Sequence, residues 1–194
     1  MAIAEAKNKI IAIADAGCVL DKDWLLEISK PFKNKEVDVV SGYYQAIPET
    51  VFQKCVAPFA LVMPDKIDLK NFLPSARSMA IKKIVWEKFG GFPEEYSDNE
   101  DFVFANTLKN GRADIVFNQE AVVYWRPRRN LKEFWTMIYR FARGDAKAGL
   151  RRFKVATIFL RYVFFIFIVL TSILFGYFPR TVFFFAFLYS VWSV

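Results

Sequence analysis

Short apolar runs alternate with amphipathic stretches over the first two thirds of the chain. The run at residues 10–14 is almost entirely Ile and Ala, which is typical of a strand buried on both faces of a parallel sheet. Further strands are predicted at 37–44, 113–117 and 121–125. Amphipathic spacing predicts helices at 23–32, 50–62, 82–89 and 99–110. This alternation of strands and helices predicts an α/β fold.

Local signals mark two further features of this part. Asn99 is a candidate N-cap for the helix at 99–110, and Gly111 follows its last turn. Residues 75–80 begin as a polar loop and lead into a short apolar stretch. We expect the loop to lie at the surface, where polar groups are solvated.

A longer amphipathic stretch begins at Leu131. Aromatic and aliphatic residues recur at helical spacing there, with Lys132, Arg140 and Arg143 among them. We predict a basic amphipathic helix region over residues 131–154 that lies at a membrane interface. The alternative is a helix that packs against the core of the globular part.

Two strongly apolar runs follow. Residues 155–178 are long enough to span a bilayer, and residues 181–194 form a second run that stops at the chain end. Many basic residues precede the first run and Arg180 alone follows it, so the positive-inside rule places residues 1–154 in the cytoplasm. We predict transmembrane segments over 155–194. The alternative is a buried hairpin of a soluble protein.

Charge divides the chain into three zones. Residues 1–125 have a net charge of −3, residues 126–161 have +9, and residues 162–194 contain one charged residue. The acidic balance of the first zone argues against nucleic-acid binding. The chain has no histidine, which excludes Ser-His-Asp catalysis and His metal ligands. Acid–base chemistry therefore falls to carboxylates, Lys, Tyr or Cys.

Carboxylates follow the first predicted strand. Asp15 comes directly after residues 10–14, at the strand end where open α/β sheets bind ligands, and Asp21 lies further along. A carboxylate in this place binds a nucleotide ribose or a metal ion that carries phosphates. The alternative is that Asp15 caps the turn after the strand.

A second acidic group, Asp98-Asn99-Glu100-Asp101, lies at the start of a predicted helix. Carboxylates in this place are either structural, because the helix dipole favours negative charge, or include a general base beside a phosphate site. Arginines between residues 126 and 143 suit phosphate binding, and equally suit anionic lipid beside a membrane.

Four segments, in this order, resemble the family 2 glycosyltransferases, the inverting GT-A enzymes of bacterial envelope polysaccharide and glycolipid synthesis. Residues 10–25, IIAIADAGCVLDKDWL, resemble the family's strand, DxD motif and helix. Residues 75–92 resemble its acceptor-side loop and W-x-x-x-G-G-[FY] motif. Residues 99–111, NEDFVFANTLKNG, resemble its ED helix, and residues 124–146 resemble the segment that precedes the transmembrane helices of membrane-associated members.

This resemblance implies a GT-A-like mixed sheet with flanking helices over residues 1–130, without the first strands that the family uses to hold the nucleotide base. Since the second apolar run also stops at residue 194, we expect a fragment of a longer protein. We expect the fragment alone to be inactive and to bind nucleotide sugar weakly.

The resemblance also implies site roles. Asp101 matches the catalytic base that deprotonates the acceptor hydroxyl, and Glu100 is its neighbour in the motif. Asp15 matches the first Asp of DxD, which contacts the nucleotide and helps to place a divalent metal, Mn²⁺ or Mg²⁺. Gly17 stands where the metal-ligating Asp is usual, which puts the metal in question. Asp21 is the candidate replacement ligand.

Four further residues are site candidates. Arg140 matches the arginine of the Q-x-x-R-W motif of processive members, but the Gln and Trp are replaced, so processive synthesis is not expected. Arg140 and Arg129 are candidate ligands of the donor diphosphate. Arg77 and Trp125 are candidates on the acceptor side.

Together these features predict a glycosyltransferase of the inner membrane whose catalytic part faces the cytoplasm. It would move a sugar from a nucleotide-diphosphate donor to a hydroxyl of a lipid-linked or polysaccharide acceptor, with membrane lipids as further partners. The alternative is a catalytically degenerate membrane-surface module that binds anionic lipid or a partner protein.

Overall fold

The computed structural model describes residues 2–69, 72–96, 98–150, 153–178 and 180–185. The chain forms two compact units, Met1–Ala148 and Gly149–Val194. The first unit contains the sheet, its covering helices and the cluster of charged residues described below. The two units are described separately.

A five-stranded mixed sheet forms the centre of the first unit, with strand order β1-β4-β3-β5-β2. The parallel pair β3 and β5 lies inside the sheet, and the other three pairings are antiparallel. This arrangement confirms the predicted mixed α/β architecture. The strands are β1 Ile10–Ile13, β2 Cys18–Leu20, β3 Val39–Ala46, β4 Met79–Lys82 and β5 Ile115–Trp125.

Two strand predictions are wrong in detail. The first strand was expected inside a parallel sheet, but β1 is an edge strand of the described sheet, is antiparallel to β4 and buries only Ile11. The two strands predicted at 113–117 and 121–125 are one strand, β5. The pairing of β5 with β3 shifts register between Gly42 and Tyr43 of β3, which accommodates the polar middle of β5. In this polar middle, Asn118 Nδ2 donates to the carbonyl of Glu27 at 2.8 Å.

Seven α-helices with defined bounds lie in the described part of the chain, and the four predicted in the α/β part are confirmed with small shifts of their ends. One of them, α3, begins with a capping box between Thr50 and Gln53, which satisfies two backbone N–H groups at the helix start. The helices are α1 Ala2–Glu5, α2 Trp24–Ser29, α3 Val51–Ala60, α4 Lys83–Lys88, α5 Glu100–Asn110, α6 Leu131–Lys147 and α7 Phe153–Leu174.

Both faces of the sheet are covered by apolar packing. Val39 belongs to a buried cluster with Phe104 and Leu108 of α5, whereas its neighbour Val40 belongs to a cluster with Ile28 of α2. Because successive side chains of a strand point to opposite faces, these two clusters lie on opposite sides of β3. The sheet is therefore a rigid layer that fixes the loops at its edges.

A third buried cluster, formed by Leu61, Trp125 and Met137, packs α6 against the rest of the first unit. Phe134 and Phe141 of α6 also pack against it. One face of α6 therefore packs against the core, as the alternative interpretation of this stretch predicts. On another face, Leu131, Trp135 and Tyr139 are exposed, and their membrane contact stays a prediction.

In the second unit, α7 carries many exposed large apolar side chains, among them Phe159, Phe164 and Phe167. Within the described part of the chain, no helix is both long enough and apolar enough to span a membrane. The predicted span at 181–194 lies mostly outside the described residues. Transmembrane segments over 155–194 stay a prediction.

Candidate active site

A cavity of about 210 Å³ opens beside the carboxyl end of β1. It is bordered by the turn after β1, the turn before β4, the start of α5 and one face of α6. Most of its lining is charged. The charged lining residues are Asp15, Arg77, Asp98, Glu100, Asp101, Arg128 and Arg140.

Sheet register brings the first two of these residues together. Ile13 at the end of β1 pairs with Met79 at the start of β4, and the two strands are antiparallel. The turn that leaves β1 therefore meets the turn that enters β4. This places Asp15 against Arg77, with 4.0 Å between the carboxylate Oδ2 and the guanidinium Nε.

Asp101 is held by the turn before β4. Its Oδ2 accepts hydrogen bonds from the hydroxyl of Ser75 at 2.7 Å and from the backbone N–H of Ala76 at 3.2 Å. Its Oδ1 accepts from the backbone N–H of Phe102 at 2.8 Å. The carboxylate therefore has a fixed orientation at the start of α5, where the helix dipole favours its negative charge.

The charge of Asp101 acts on Asp15 across the cavity. Partial burial raises the pKa of the Asp15 carboxyl, the Arg77 charge lowers it, and the Asp101 charge raises it further, so that the pKa lies above its usual range. The Asp15 side chain is 51% exposed, so it remains open to a ligand. Two residues far apart in the sequence thus share one electrostatic environment.

Arg77 is held by aromatic rings as well as by Asp15. Its guanidinium carbon lies 5.2 Å from the ring centre of Tyr44 and 5.6 Å from that of Trp125. Cation–π contacts at such distances restrain a guanidinium without neutralising it. Of the two residues predicted for the acceptor side, Arg77 lines the cavity, whereas Trp125 is buried and contacts Arg77.

Asp98 is neutralised by two arginines of α6. Arg140 donates to its Oδ1 from Nε at 2.7 Å and forms an ion pair with the same oxygen through Nη2 at 2.6 Å, and Arg143 donates to its Oδ2 at 2.7 Å. Burial by itself would raise the pKa of Asp98, but these hydrogen bonds and charges outweigh it and hold the pKa below the usual range. Arg140, predicted as a diphosphate ligand, lines the cavity but is engaged with Asp98.

Asn99 occupies the predicted N-cap position of α5, but it does not cap the helix through its side chain. It has left-handed backbone angles, with φ of 65°, and its side chain makes no cap hydrogen bond. Its amide instead donates to the carbonyl of Phe141 at 3.2 Å and to Oδ1 of Asp145 at 2.8 Å. The turn before α5 is therefore tied to α6 by Asp98 and Asn99 together.

The predicted metal ligands do not come together. Asp21 accepts hydrogen bonds from the hydroxyl of Tyr124 and from the backbone N–H of Asp23, which lower its pKa, and it does not line the cavity. A side chain at Gly17 would meet open space. Over the residues that the structure describes, no group of three or more Asp, Glu, Cys or His is arranged to hold a metal. Asp21 therefore does not complete a metal site with Asp15.

The remaining candidates divide between cavity and surface. Glu100 lines the cavity beside Asp101, as its place in the motif predicts. Arg129 is exposed outside the cavity, where its backbone N–H donates to Glu133. The neighbouring Arg128 lines the cavity instead, and the sequence offers no signal that separates the two.

The mixed sheet with its flanking helices resembles the fold of GT-A-type glycosyltransferases. The profile of glycosyl transferase family 21 matches residues 1–194. The chain therefore belongs to glycosyl transferase family 21. The expected resemblance to GT-A enzymes is confirmed.

Solved structures support the fold. The mannosyltransferase PcManGT from Pyrobaculum calidifontis, in complex with GDP-Man and Mn²⁺, has a TM-score of 0.53 and 17% identity over 76% of this chain and 40% of that one. Glucosyl-3-phosphoglycerate synthase from Mycobacterium tuberculosis, in complex with Mn²⁺, UDP and phosphoglyceric acid, has a TM-score of 0.50 and 14% identity over 78% of this chain and 53% of that one. The chain thus spans about half the length of these proteins or less. No curated protein matches it significantly.

Proposed function

We propose that the protein transfers a sugar from a nucleotide-diphosphate donor to an acceptor hydroxyl, with Asp101 as the general base. One observation carries this proposal: the carboxylates of Asp101 and Asp15 line one cavity that also contains arginines. A base and a diphosphate-binding region must be adjacent for a hydroxyl to attack the carbon next to the diphosphate.

The reaction follows from that arrangement. The acceptor hydroxyl loses its proton to Asp101 as its oxygen forms a bond to the anomeric carbon of the donor. The bond between that carbon and the diphosphate oxygen breaks, and its electron pair leaves with the nucleoside diphosphate. Attack from the side opposite the leaving group inverts the anomeric configuration. Guanidinium groups at the cavity stabilise the charge that develops on the leaving group.

Two similarities support a nucleotide-diphosphate sugar as the donor. The structure of the mannosyltransferase contains GDP-Man, and a further structure of glucosyl-3-phosphoglycerate synthase contains UDP-Glc. Both proteins share only the fold with this chain, so neither defines its sugar or its base. The donor class, rather than a particular nucleotide sugar, is the proposal.

The proposed acceptor is a lipid-linked or polysaccharide hydroxyl at the cytoplasmic face of a membrane. Exposed apolar side chains support this choice in each unit separately. In the first unit Leu131 and Trp135 of α6 are exposed near the basic residues Arg129 and Lys132, a combination typical of interfacial helices. In the second unit the apolar side chains of α7 are exposed along most of the helix.

The test is a pair of matched variants in the protein as its gene encodes it, assayed with membrane lipids and a panel of nucleotide sugars. Asp101→Asn keeps the shape of the side chain but removes the base, so turnover falls about 100- to 10,000-fold while donor binding is retained. Asp114→Asn is the control, because Asp114 is exposed outside the cavity, at the start of β5. Wild-type turnover in Asp101→Asn would contradict the role of Asp101.

The alternative, a degenerate membrane-surface binding module, makes the opposite predictions. Replacing Asp15 and Asp101 would then have no effect. Reversing the charges of Arg151, Arg152 and Lys154 would instead abolish membrane association. Vesicle sedimentation and nucleotide-sugar turnover, measured on the same variants, separate the two functions.

A further inference from the structure

The end of β1 presents a single carboxylate to the cavity. Asp15 is that carboxylate, and Gly17, which follows it in the motif, contributes no ligand atom from a side chain. Asp21 is hydrogen-bonded to Tyr124 away from the cavity. The side-chain oxygen ligands at the end of β1 therefore do not fit a divalent cation, because hard cations take several oxygen ligands at short distance.

The guanidinium of Arg77 lies beside Asp15, where a diphosphate needs a positive charge. Arg77 lies 4.0 Å from Asp15, and its side chain is only 19% exposed. The rings of Tyr44 and Trp125 lie within 6 Å of its guanidinium carbon. Aromatic rings restrain an arginine and leave its N–H groups for oxygen ligands, and a guanidinium matches the geometry of phosphate oxygens.

The backbone that carries Arg77 is itself rigid. The backbone N–H of Ser78 donates to the carbonyl of Ser75 at 3.0 Å, which closes the turn that contains Arg77. The hydroxyl of Ser78 accepts from Trp24 Nε1 at 2.9 Å and donates to the carbonyl of Ala121 at 3.1 Å. This buried anchor holds the turn that carries Arg77 against β5.

Besides its contact with Asp15, the guanidinium of Arg77 forms no other ion pair with any residue that the structure describes. Asp98, which also lines the cavity, is paired with Arg140 and Arg143. Arg128 also lines the cavity and forms no ion pair with any residue that the structure describes. Two guanidinium groups, those of Arg77 and Arg128, are therefore available to bind an incoming anion.

We propose that this protein binds the diphosphate of its donor through guanidinium groups, chiefly that of Arg77, and needs no divalent cation to do so. This proposal rests on the proposed transferase function in one respect, namely that the diphosphate belongs to a sugar donor. The binding of a diphosphate at Arg77 without a metal ion is tested independently of sugar transfer.

The first experiment measures binding of inorganic pyrophosphate to the full chain by calorimetry, once in excess EDTA and once in excess Mn²⁺. We expect binding in EDTA, with an affinity within about twofold of that in Mn²⁺. Binding that appears only with Mn²⁺ overturns the proposal, and so does the absence of binding under both conditions. This comparison needs no variant, so it stands even where a substitution impairs folding.

The second experiment compares two variants in EDTA. Arg77→Met keeps the apolar stem and removes the charge, and we expect pyrophosphate affinity to fall about 10- to 100-fold. Arg126→Met is the control, since Arg126 pairs with Glu49 outside the cavity, and its affinity stays at the wild-type value. Equal affinities of the two variants overturn the role of Arg77.

Turnover separates this proposal from the proposed function. Nucleotide-sugar transfer that continues in EDTA supports both. Transfer that stops in EDTA and returns with Mn²⁺ overturns metal independence and leaves the transferase function standing. If no nucleotide sugar is turned over, the proposed function fails, and pyrophosphate binding still decides the role of Arg77.

Discussion

Arg140 donates a hydrogen bond from Nε to Oδ1 of Asp98 at 2.7 Å, and its Nη2 forms an ion pair with the same oxygen at 2.6 Å. The side chain of Asp98 is 6% exposed, whereas that of Arg140 is 56% exposed. A nearly buried carboxylate is thus neutralised by an arginine that reaches the cavity from α6. Because Asp98 lies three residues before Asp101, this contact orients the start of α5 and the proposed base on it.

We expect the ion pairs of Asp98 to matter for both stability and turnover. Arg140→Met should reduce the free energy of unfolding by about 1–3 kcal/mol, because it removes hydrogen bonds to a charged group. It should also lower kcat, because the turn before Asp101 loosens. Urea unfolding and steady-state kinetics measure the two effects. Lys132→Met, an exposed change on the same helix, is the control.

The double variant Asp98→Asn with Arg140→Met tests whether the effect passes through Asp98. Asp98→Asn removes the charge that Arg140 neutralises, so the double variant should lose less stability than the sum of the two single variants. Strictly additive losses would show that Arg140 stabilises the protein by some other contact.

The lowered pKa of Asp98 predicts how stability depends on pH. A carboxyl whose pKa is lower in the folded state contributes stability that is fully present above its unfolded pKa. That contribution is lost as the pH falls through the lowered folded pKa. We expect Asp98→Asn to reduce the steepness of acid destabilisation, measured as the free energy of unfolding between neutral and strongly acidic pH. An unchanged slope would contradict the prediction.

Gly144 of α6 lies against the same turn, and we expect it not to tolerate a side chain. A Cβ added there would lie 2.9 Å from Asn99 Nδ2 and 2.9 Å from the backbone oxygen of Asp98. Gly144→Ala should therefore destabilise the first unit by about 1–3 kcal/mol, although alanine is the better helix former. Gly17→Ala is the control for stability, because an added Cβ meets nothing within 4 Å there.

Ser75 offers a milder way to disturb the proposed base. Ser75→Ala removes the hydroxyl that donates to Asp101 Oδ2 at 2.7 Å, and leaves the backbone donors of Ala76 and Phe102 in place. We expect kcat to fall several-fold, in line with about 1 kcal/mol for one hydrogen bond, with little change in KM. Ser75→Thr keeps the hydroxyl and should retain most of the rate. An equal loss in both variants would point to packing instead.

Much of the local structure was predictable from the sequence. The helices at 23–32, 50–62, 82–89 and 99–110 are all present, because periodic apolar residues and helix-end signals act over a few positions. Asp15 and Asp101 were identified through short motifs, and the structure places both on one cavity. The roles assigned to them stay predictions.

Other features depend on contacts between distant parts of the chain. Asp98 bonds to Arg140 from 42 positions away, and Arg77, which precedes β4, contacts Trp125 at the end of β5. No local pattern distinguishes an arginine that pairs with a buried carboxylate from one that faces a ligand. The sequence therefore predicts Arg140 and Arg129 as diphosphate ligands, whereas in the structure Arg140 and Arg128 line the cavity.

The sequence by itself determined which segments form helices, and which short motifs carry the acidic side chains of the site. Tertiary structure alone decided that β1 pairs antiparallel with β4. That pairing brings the turn after β1 against the turn before β4, and so places Arg77 beside Asp15 where a metal ligand was expected. Helix formation is governed by neighbours along the chain, whereas strand pairing is governed by burial over the whole sheet, and the electrostatics of the cavity follow from the pairing.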